Sequence, residues 1–202
     1  MVKTNINLFA EGEVVYTDGG VLAEFAWLLV VLPFIAALVI TFVGKNLPLK
    51  GAEIALGTIG IIFSYSLALM YLHITKGVAN EFFINVGSIG QFDIEFGWVV
   101  DGLSIMMYFV VGLVALLVFI YATNYMEGEI RYTFFFTSLT LFAGSMLVLV
   151  SSPTLIQILI GWELVGVCSY LLIGHYWEVK DNSSAAMKAF ITNKIADVGL
   201  MI

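Results

Sequence analysis

Glu163 lies in the middle of an apolar run, Thr154-Leu155-Ile156-Gln157-Ile158-Leu159-Ile160-Gly161-Trp162-Glu163-Leu164-Val165-Gly166-Val167-Cys168-Ser169-Tyr170. A carboxylate there must be protonated or paired, because an isolated charge in an apolar medium is costly. Desolvation in general pushes a Glu toward proton release near pH 8–9, and a nearby cation pulls it back toward its ordinary value of about 4.3. A carboxyl group poised between those limits can load and release a proton as its partner moves. The alternative is a neutral acid hydrogen-bonded to a neighbouring helix. Further along, Lys188, Asn193, Lys194 and Asp197 fall in a second run. Lys194 and Asp197 are three apart, so on a helix they share a face and can pair. Asp197 is followed by Val198, Leu200, Met201 and Ile202, deep enough among apolar residues to need explanation, and a functional role is the favoured one. Lys188 either takes part in proton movement or extends its head to the membrane interface. His175, after Gly174, is an interfacial histidine that is either bland or a proton entry point. Cys168 reads as a small packing residue, and Gly161 and Gly166 permit close helix approach.

The elements that must position these residues are membrane helices. The 202 residues are 61% hydrophobic and 11% charged, with a mean hydropathy of +1.03. A soluble domain of this size could not hide so much apolar surface. A helix crosses a bilayer in about 20 residues, and the apolar runs predict spans over 24–43, 53–73, 103–123, 132–150 and 154–175. A sixth begins near Ser184 and continues to the last residue, the pattern expected of a fragment, a split gene or a disrupted reading frame. Pro33 falls inside the first span, where lipid-embedded helices tolerate a kink. Between the second and third spans, β-formers alternate with polar residues from Phe82 to Val100, punctuated by Gly87, Gly90 and Gly97. That texture predicts a short hairpin outside the membrane, with an irregular loop as the alternative. The fold class is therefore all-α: a polytopic transmembrane helix bundle of about six spans with one short extramembrane β-hairpin.

Lys45, Lys50, Arg131 and Lys180 fall in loops on one side, against Lys3 and Lys76 on the other. The positive-inside rule then puts the N-terminus and the hairpin outside. Tyr121, Tyr125, Tyr132, Tyr176 and Trp177 mark span ends, as interfacial aromatics do. The net charge of −7, gathered in loops and in an N-terminal stretch with Glu11, Glu13, Asp18 and Glu24, argues against a nucleic-acid partner. The first apolar run follows acidic residues rather than a basic segment, so no cleavable signal is expected. One cysteine and two histidines give no metal-ligand spacing and no internal disulfide. No phosphate loop, dinucleotide fingerprint or haem-attachment motif is present, so no metal or cofactor is expected in this chain.

The run Gly161-Trp162-Glu163-Leu164-Val165-Gly166-Val167-Cys168-Ser169-Tyr170-Leu171-Leu172-Ile173-Gly174 resembles the signature of the antiporter-like subunit of respiratory complex I (subunit L of NADH-quinone oxidoreductase, chain 5 in mitochondria). Asp101-Gly102-Leu103-Ser104, Tyr121-Ala122-Thr123-Asn124-Tyr125-Met126 and Ala185-Ala186-Met187-Lys188-Ala189-Phe190-Ile191-Thr192-Asn193-Lys194-Ile195-Ala196-Asp197 resemble the same family. The likeness covers roughly residues 20–202. It implies a proton-translocating membrane-arm subunit, with Glu163 and Asp197 at the family's intramembrane glutamate and aspartate; Lys188 is the third residue expected to serve proton translocation. It further implies NADH, FMN, iron–sulfur clusters and quinone in partner subunits, antiporter-like neighbours in the membrane arm, and a place in the cell inner (plasma) membrane ahead of the mitochondrial one. The chain divides accordingly into an outer extension over 1–23, two spans and the hairpin over 24–100, and the start of the translocating domain over 101–202. The family's subunit is about three times longer, and its broken helix and the lysine opposite Glu163 are expected beyond residue 202. Two other readings use the same helices: the large subunit of a cation/proton antiporter or membrane-bound hydrogenase, and a structural membrane subunit that pumps nothing.

Overall fold

The computed structural model describes residues 20–89 and 92–201. The acidic extension over 1–19 and the hairpin residues Gly90 and Gln91 lie outside the described residues. A short helix α1 (Gly20–Glu24) leads into α2 (Trp27–Val43) and α3 (Ala52–Lys76). Strands β1 (Asn80–Ile89) and β2 (Phe92–Val100) follow, then α4 (Gly102–Tyr125), α5 (Tyr132–Ser151), α6 (Leu155–Ile173) and α7 (Lys180–Met201). Among the described residues five helices are long and apolar enough to cross a membrane: α2 to α6, with α2 extending to Asn46 and α6 to Tyr176 through single 3₁₀ turns. α2 runs unbroken through Pro33. Where a sixth span was expected the chain forms a helix, α7, 22 residues long. It does not count among the five by composition, because Lys180, Asp181, Lys188, Lys194 and Asp197 interrupt its apolar surface.

Short connections make successive helices antiparallel, and cross-links confirm which ends meet. At one end the Thr133 hydroxyl donates to the Lys50 carbonyl at 3.0 Å. This end collects Lys45, Lys50, Arg131 and Lys180, the residues whose charge suggested an inner face. At the other end β1 and β2 pair antiparallel from Asn80↔Val100 to Ile89↔Phe92, with a register irregularity between Asn85 and Gly87. The hairpin predicted from alternation therefore exists. α4 starts directly after it because Asp101 caps the helix: its carboxylate accepts from the Ser104 backbone N–H at 2.7 Å, while the Ser104 hydroxyl accepts from the Asp101 N–H at 2.8 Å. This reciprocal box satisfies two N–H groups that a helix start otherwise leaves open.

α5 is the most enclosed span. Tyr132, Phe136, Leu139, Ala143 and Leu147 are buried along it, and they join Phe119 and Tyr108 of α4 and Ile59 and Ile62 of α3 in one core. Membrane helices associate through close packing rather than water exclusion, and Gly161 of α6 illustrates it. A Cβ built there would lie 2.8 Å from Leu149 Cα, so only a glycine lets α6 approach the α5 backbone so closely. That contact fixes the rotation of the helix carrying Glu163.

The N-terminal turn of α6 is stitched to the hairpin. The buried Gln157 side chain donates to the Gly97 carbonyl at 2.8 Å and accepts from the Gly97 N–H at 2.9 Å, as a paired strand residue would. The Thr154 hydroxyl caps α6 and donates to the Glu95 carbonyl at 3.2 Å. Gly97 cannot be larger, since a Cβ there would meet the Phe82 carbonyl oxygen at 1.9 Å. Gln157→Leu is expected to leave both Gly97 backbone groups without their side-chain partner. The cost is about 1–3 kcal/mol, read as a lower midpoint of thermal unfolding and faster hydrogen exchange at the Gly97 amide. An unchanged exchange rate would show that the clamp carries no load.

Glu81, at the root of the hairpin, is held above the ordinary carboxylate range by burial and, second, by the Asp101 carboxylate nearby. An acid raised in the folded state opposes folding once it ionises. Glu81→Gln is therefore expected to stabilise the fold slightly at neutral pH. The gain should fade as pH falls through the Glu81 titration, because both proteins are then uncharged at that position. Unfolding midpoints at pH 4 and pH 7.5 test the sign.

Candidate proton-transfer site

Glu163 is the ninth residue of the 19 in α6, so its carboxylate sits at mid-span. α7 returns antiparallel along α6 and brings its own polar residues to the same depth. Lys194 forms an ion pair with Glu163 through Nζ and Oε2. The same Nζ lies 3.3 Å from Asp197 Oδ2, three residues on along α7. One lysine thus stands between two carboxylates, and the trio carries a net formal charge of −1 when all three are ionised.

The fourth group at the site is Trp162. Its indole N–H donates to Asp197 Oδ1 at 2.8 Å. Adjacent residues on α6 project about 100° apart, so Trp162 and Glu163 straddle the α7 face between them. Asp197 is 5% exposed, and its two oxygens are taken by Trp162 and Lys194. Lys194 also lies 5.3 Å from the centre of the Phe190 ring, which packs against Tyr170. One lysine is thus shared between two acids, one of which is also held by a neutral donor.

Of the residues singled out in the sequence, Glu163 and Asp197 are brought together, and Lys194 is the group that joins them. Lys188 stands apart: it is exposed on α7 and takes part in none of the ion pairs among the described residues. Among the described residues the lysine paired with Glu163 is Lys194; the lysine expected beyond residue 202 lies outside this sequence. The spacing of Lys194 and Asp197 had announced their mutual pairing, but not that α7 folds back on α6 at the depth of Glu163. Trp162 was not singled out at all. Its only signal in the sequence is its place beside an intramembrane acid, where an indole N–H has to find an acceptor.

The other candidates have quieter surroundings. Cys168 is buried, with its sulfur 3.7 Å from the Ser145 hydroxyl. Gly166 faces α7 at ordinary contact distance from the Asn193 amide. His175 is buried at the far end of α6 among Phe134, Phe135 and Tyr176, and its Nδ1 has no hydrogen-bond partner. Beside it Arg131 pairs with Glu178 at 2.6 Å and lies over the Trp177 ring. The Arg131 hydrogen bond holds the Glu178 carboxyl below its usual range. Among the described residues no group of three or more His, Cys, Asp and Glu could hold a metal ion.

Comparison with known proteins agrees with this architecture. Residues 87–136 match the family described as NADH-Ubiquinone oxidoreductase (complex I), chain 5 N-terminus. Residues 152–202, which contain the whole trio, match the family described as NADH:quinone oxidoreductase/Mrp antiporter, TM. The chain is 40% identical over 189 residues to NAD(P)H-quinone oxidoreductase chain 5 of a Picosynechococcus species, a match covering 90% of this chain and 28% of the relative. It is 41% identical over 188 residues to the Synechocystis chain 5, with the same two coverages. The chloroplastic subunit 5 of Chlorokybus atmophyticus is 36% identical over 186 residues, 89% of this chain and 28% of that protein. The chain thus spans a little over a quarter of the length of these relatives. A solved structure of a membrane-bound sulfane sulfur reductase, an archaeal respiratory membrane complex, shares the fold with a TM-score of 0.68 at 14% identity, over 83% of this chain and 34% of that one. The family descriptions, the relatives and the helix order converge: over nearly its whole length this chain is similar to part of the chain 5 subunits of NAD(P)H-quinone oxidoreductases.

Proposed function

We propose that this chain contributes a proton-transfer site to the membrane part of a quinone oxidoreductase complex, coupling quinone reduction elsewhere in the assembly to proton translocation. The observation that carries the reading is Lys194 placed between Glu163 and Asp197 at mid-span. When Lys194 neutralises Glu163, the carboxylate stays ionised. When Lys194 moves toward Asp197, Glu163 is left as a charge in a medium of low dielectric and takes up a proton. Return of Lys194 expels it. Unit charges 4 Å apart interact by about 4 kcal/mol at an effective dielectric near 20, so a displacement of a few ångströms can load and unload the site.

In this reading the electron carriers, NADH, flavin, iron–sulfur clusters and quinone, belong to partner subunits. The neighbours are other membrane-arm subunits of the antiporter-like kind. Residues 101–202 form the start of the translocating domain, Lys188 serves as a lysine near the membrane surface on the way to the trio, and the membrane is the cell inner membrane.

The test is proton translocation per quinone reduced by the complex reconstituted in sealed vesicles, comparing the native chain with one whose trio is disabled. Equal ratios would refute the assignment. A second reading, ion exchange by a cation/proton antiporter, is favoured by the family description that names the Mrp antiporters alongside the oxidoreductases. Sodium-dependent proton movement in vesicles without quinone or reductant would establish that reading instead.

A further inference from the structure

We infer that Trp162 is a positioning residue that sets the proton affinity of the Glu163–Lys194–Asp197 trio, by holding the Asp197 carboxylate in its charged form through the indole N–H. The inference rests on the proposed proton-transfer reading and names a member of the site that neither titrates nor carries charge. Its basis is geometric. The Trp162 Nε1 to Asp197 Oδ1 distance is 2.8 Å, and Asp197 is 5% exposed. The other Asp197 oxygen is the one facing Lys194, at 3.3 Å. Asp197 therefore depends on two donors, one on each helix, and only one of them can move away with a proton.

The trio has an odd charge, two acids to one base. Whichever carboxylate receives the proton, the pair titrates as a unit. A neutral donor fixed on one acid stabilises the deprotonated state of the whole. Without the indole N–H, that state loses a hydrogen bond to a charged group inside an apolar site, where such bonds are strongest. The trio must then bind its proton at higher pH. The other titratable groups on the elements packed against it are placed elsewhere. On α6, Cys168 faces Ser145 and Tyr170 packs on Phe190. On α7, Lys188 is exposed, and Lys180 and Asp181 begin the helix at its opposite end, with His175 and Tyr176 in the preceding turn. Asp181 is about 24 Å from Asp197 along the helix axis.

The experiment is the pH dependence of proton translocation by the complete complex in vesicles. Trp162→Phe keeps a large apolar ring and removes the donor. It is expected to move the profile to alkaline pH by about one unit, a tenfold change in proton affinity. The shift should vanish when Asp197→Asn is already present, because the two changes act on one interaction; in that background it is read from the Glu163 carboxyl band by pH-dependent infrared difference spectroscopy, since translocation itself should fail there. A fluorinated tryptophan at position 162 keeps the native shape and strengthens the N–H donor. It should move the profile to acid pH, and it tests the inference even where Trp162→Phe fails to assemble. An unchanged profile in the fluorinated complex, or a Trp162→Phe shift that persists in the Asp197→Asn background, overturns the inference. Glu163→Gln separates the two levels. If it blocks translocation while the position-162 variants keep the native profile, only the role of Trp162 falls. If it translocates normally, the proton-transfer reading falls and the role of Trp162 with it.

Discussion

Glu163→Gln is expected to reduce proton transfer through this subunit by about two orders of magnitude or more, the usual contribution of a positioned proton-transfer group, with the complex still assembled. The amide has the shape of the protonated acid and keeps the packing of α6 against α5 and α7. It cannot accept a proton at any pH in the working range. Lys194 then has one anionic partner left, Asp197, and the alternation between two acids is gone. The measurement is the proton-to-electron ratio in reconstituted vesicles, with quinone reduction followed in uncoupled vesicles as the control. A reduced ratio with near-normal uncoupled electron transfer supports a proton-transfer role. Loss of the whole complex from the membrane would instead mark Glu163 as a packing residue. A normal ratio would show that protons do not pass by way of this carboxylate.

Lys194→Met should be the most damaging to stability of the changes at the trio. It leaves Glu163 and Asp197 as two acids at the same depth with no cation, and removing one partner of a buried pair costs about 3–5 kcal/mol. The lower end applies here, since the side chains of Lys194 and Glu163 keep 31% and 37% of their surface open in the isolated chain. The acids relieve the cost by binding protons, so the loss of stability should grow with rising pH. Adding Glu163→Gln removes the unpaired charge and should recover much of the thermal stability without recovering translocation. That dissociation of stability from activity is the sign of a working ion pair. A purely structural lysine would lose both together and regain both together.

Much of this was written in the chain. Runs of about 20 apolar residues decide that α2 to α6 are spans, because a bilayer core of fixed thickness offers backbone groups no partner outside a helix. Alternation broken by glycines decides the hairpin from Phe82 to Val100, and the central place of Glu163 in α6 follows from counting. The Lys194 and Asp197 pairing follows from their spacing of three. Tertiary structure alone decided that Lys194 reaches Glu163, that Trp162 holds Asp197, and that Gln157 fastens α6 to the hairpin at Gly97. The physical reason is that α2 to α6 are apolar nearly all round, so no single stripe announces which face meets which neighbour. Rotation and axial shift are set by close contacts such as Gly161 on the Leu149 backbone, made between residues twelve or more apart in sequence. A periodicity shows what a helix is made of, and only its packed neighbours show where a side chain such as Trp162 finds its acceptor.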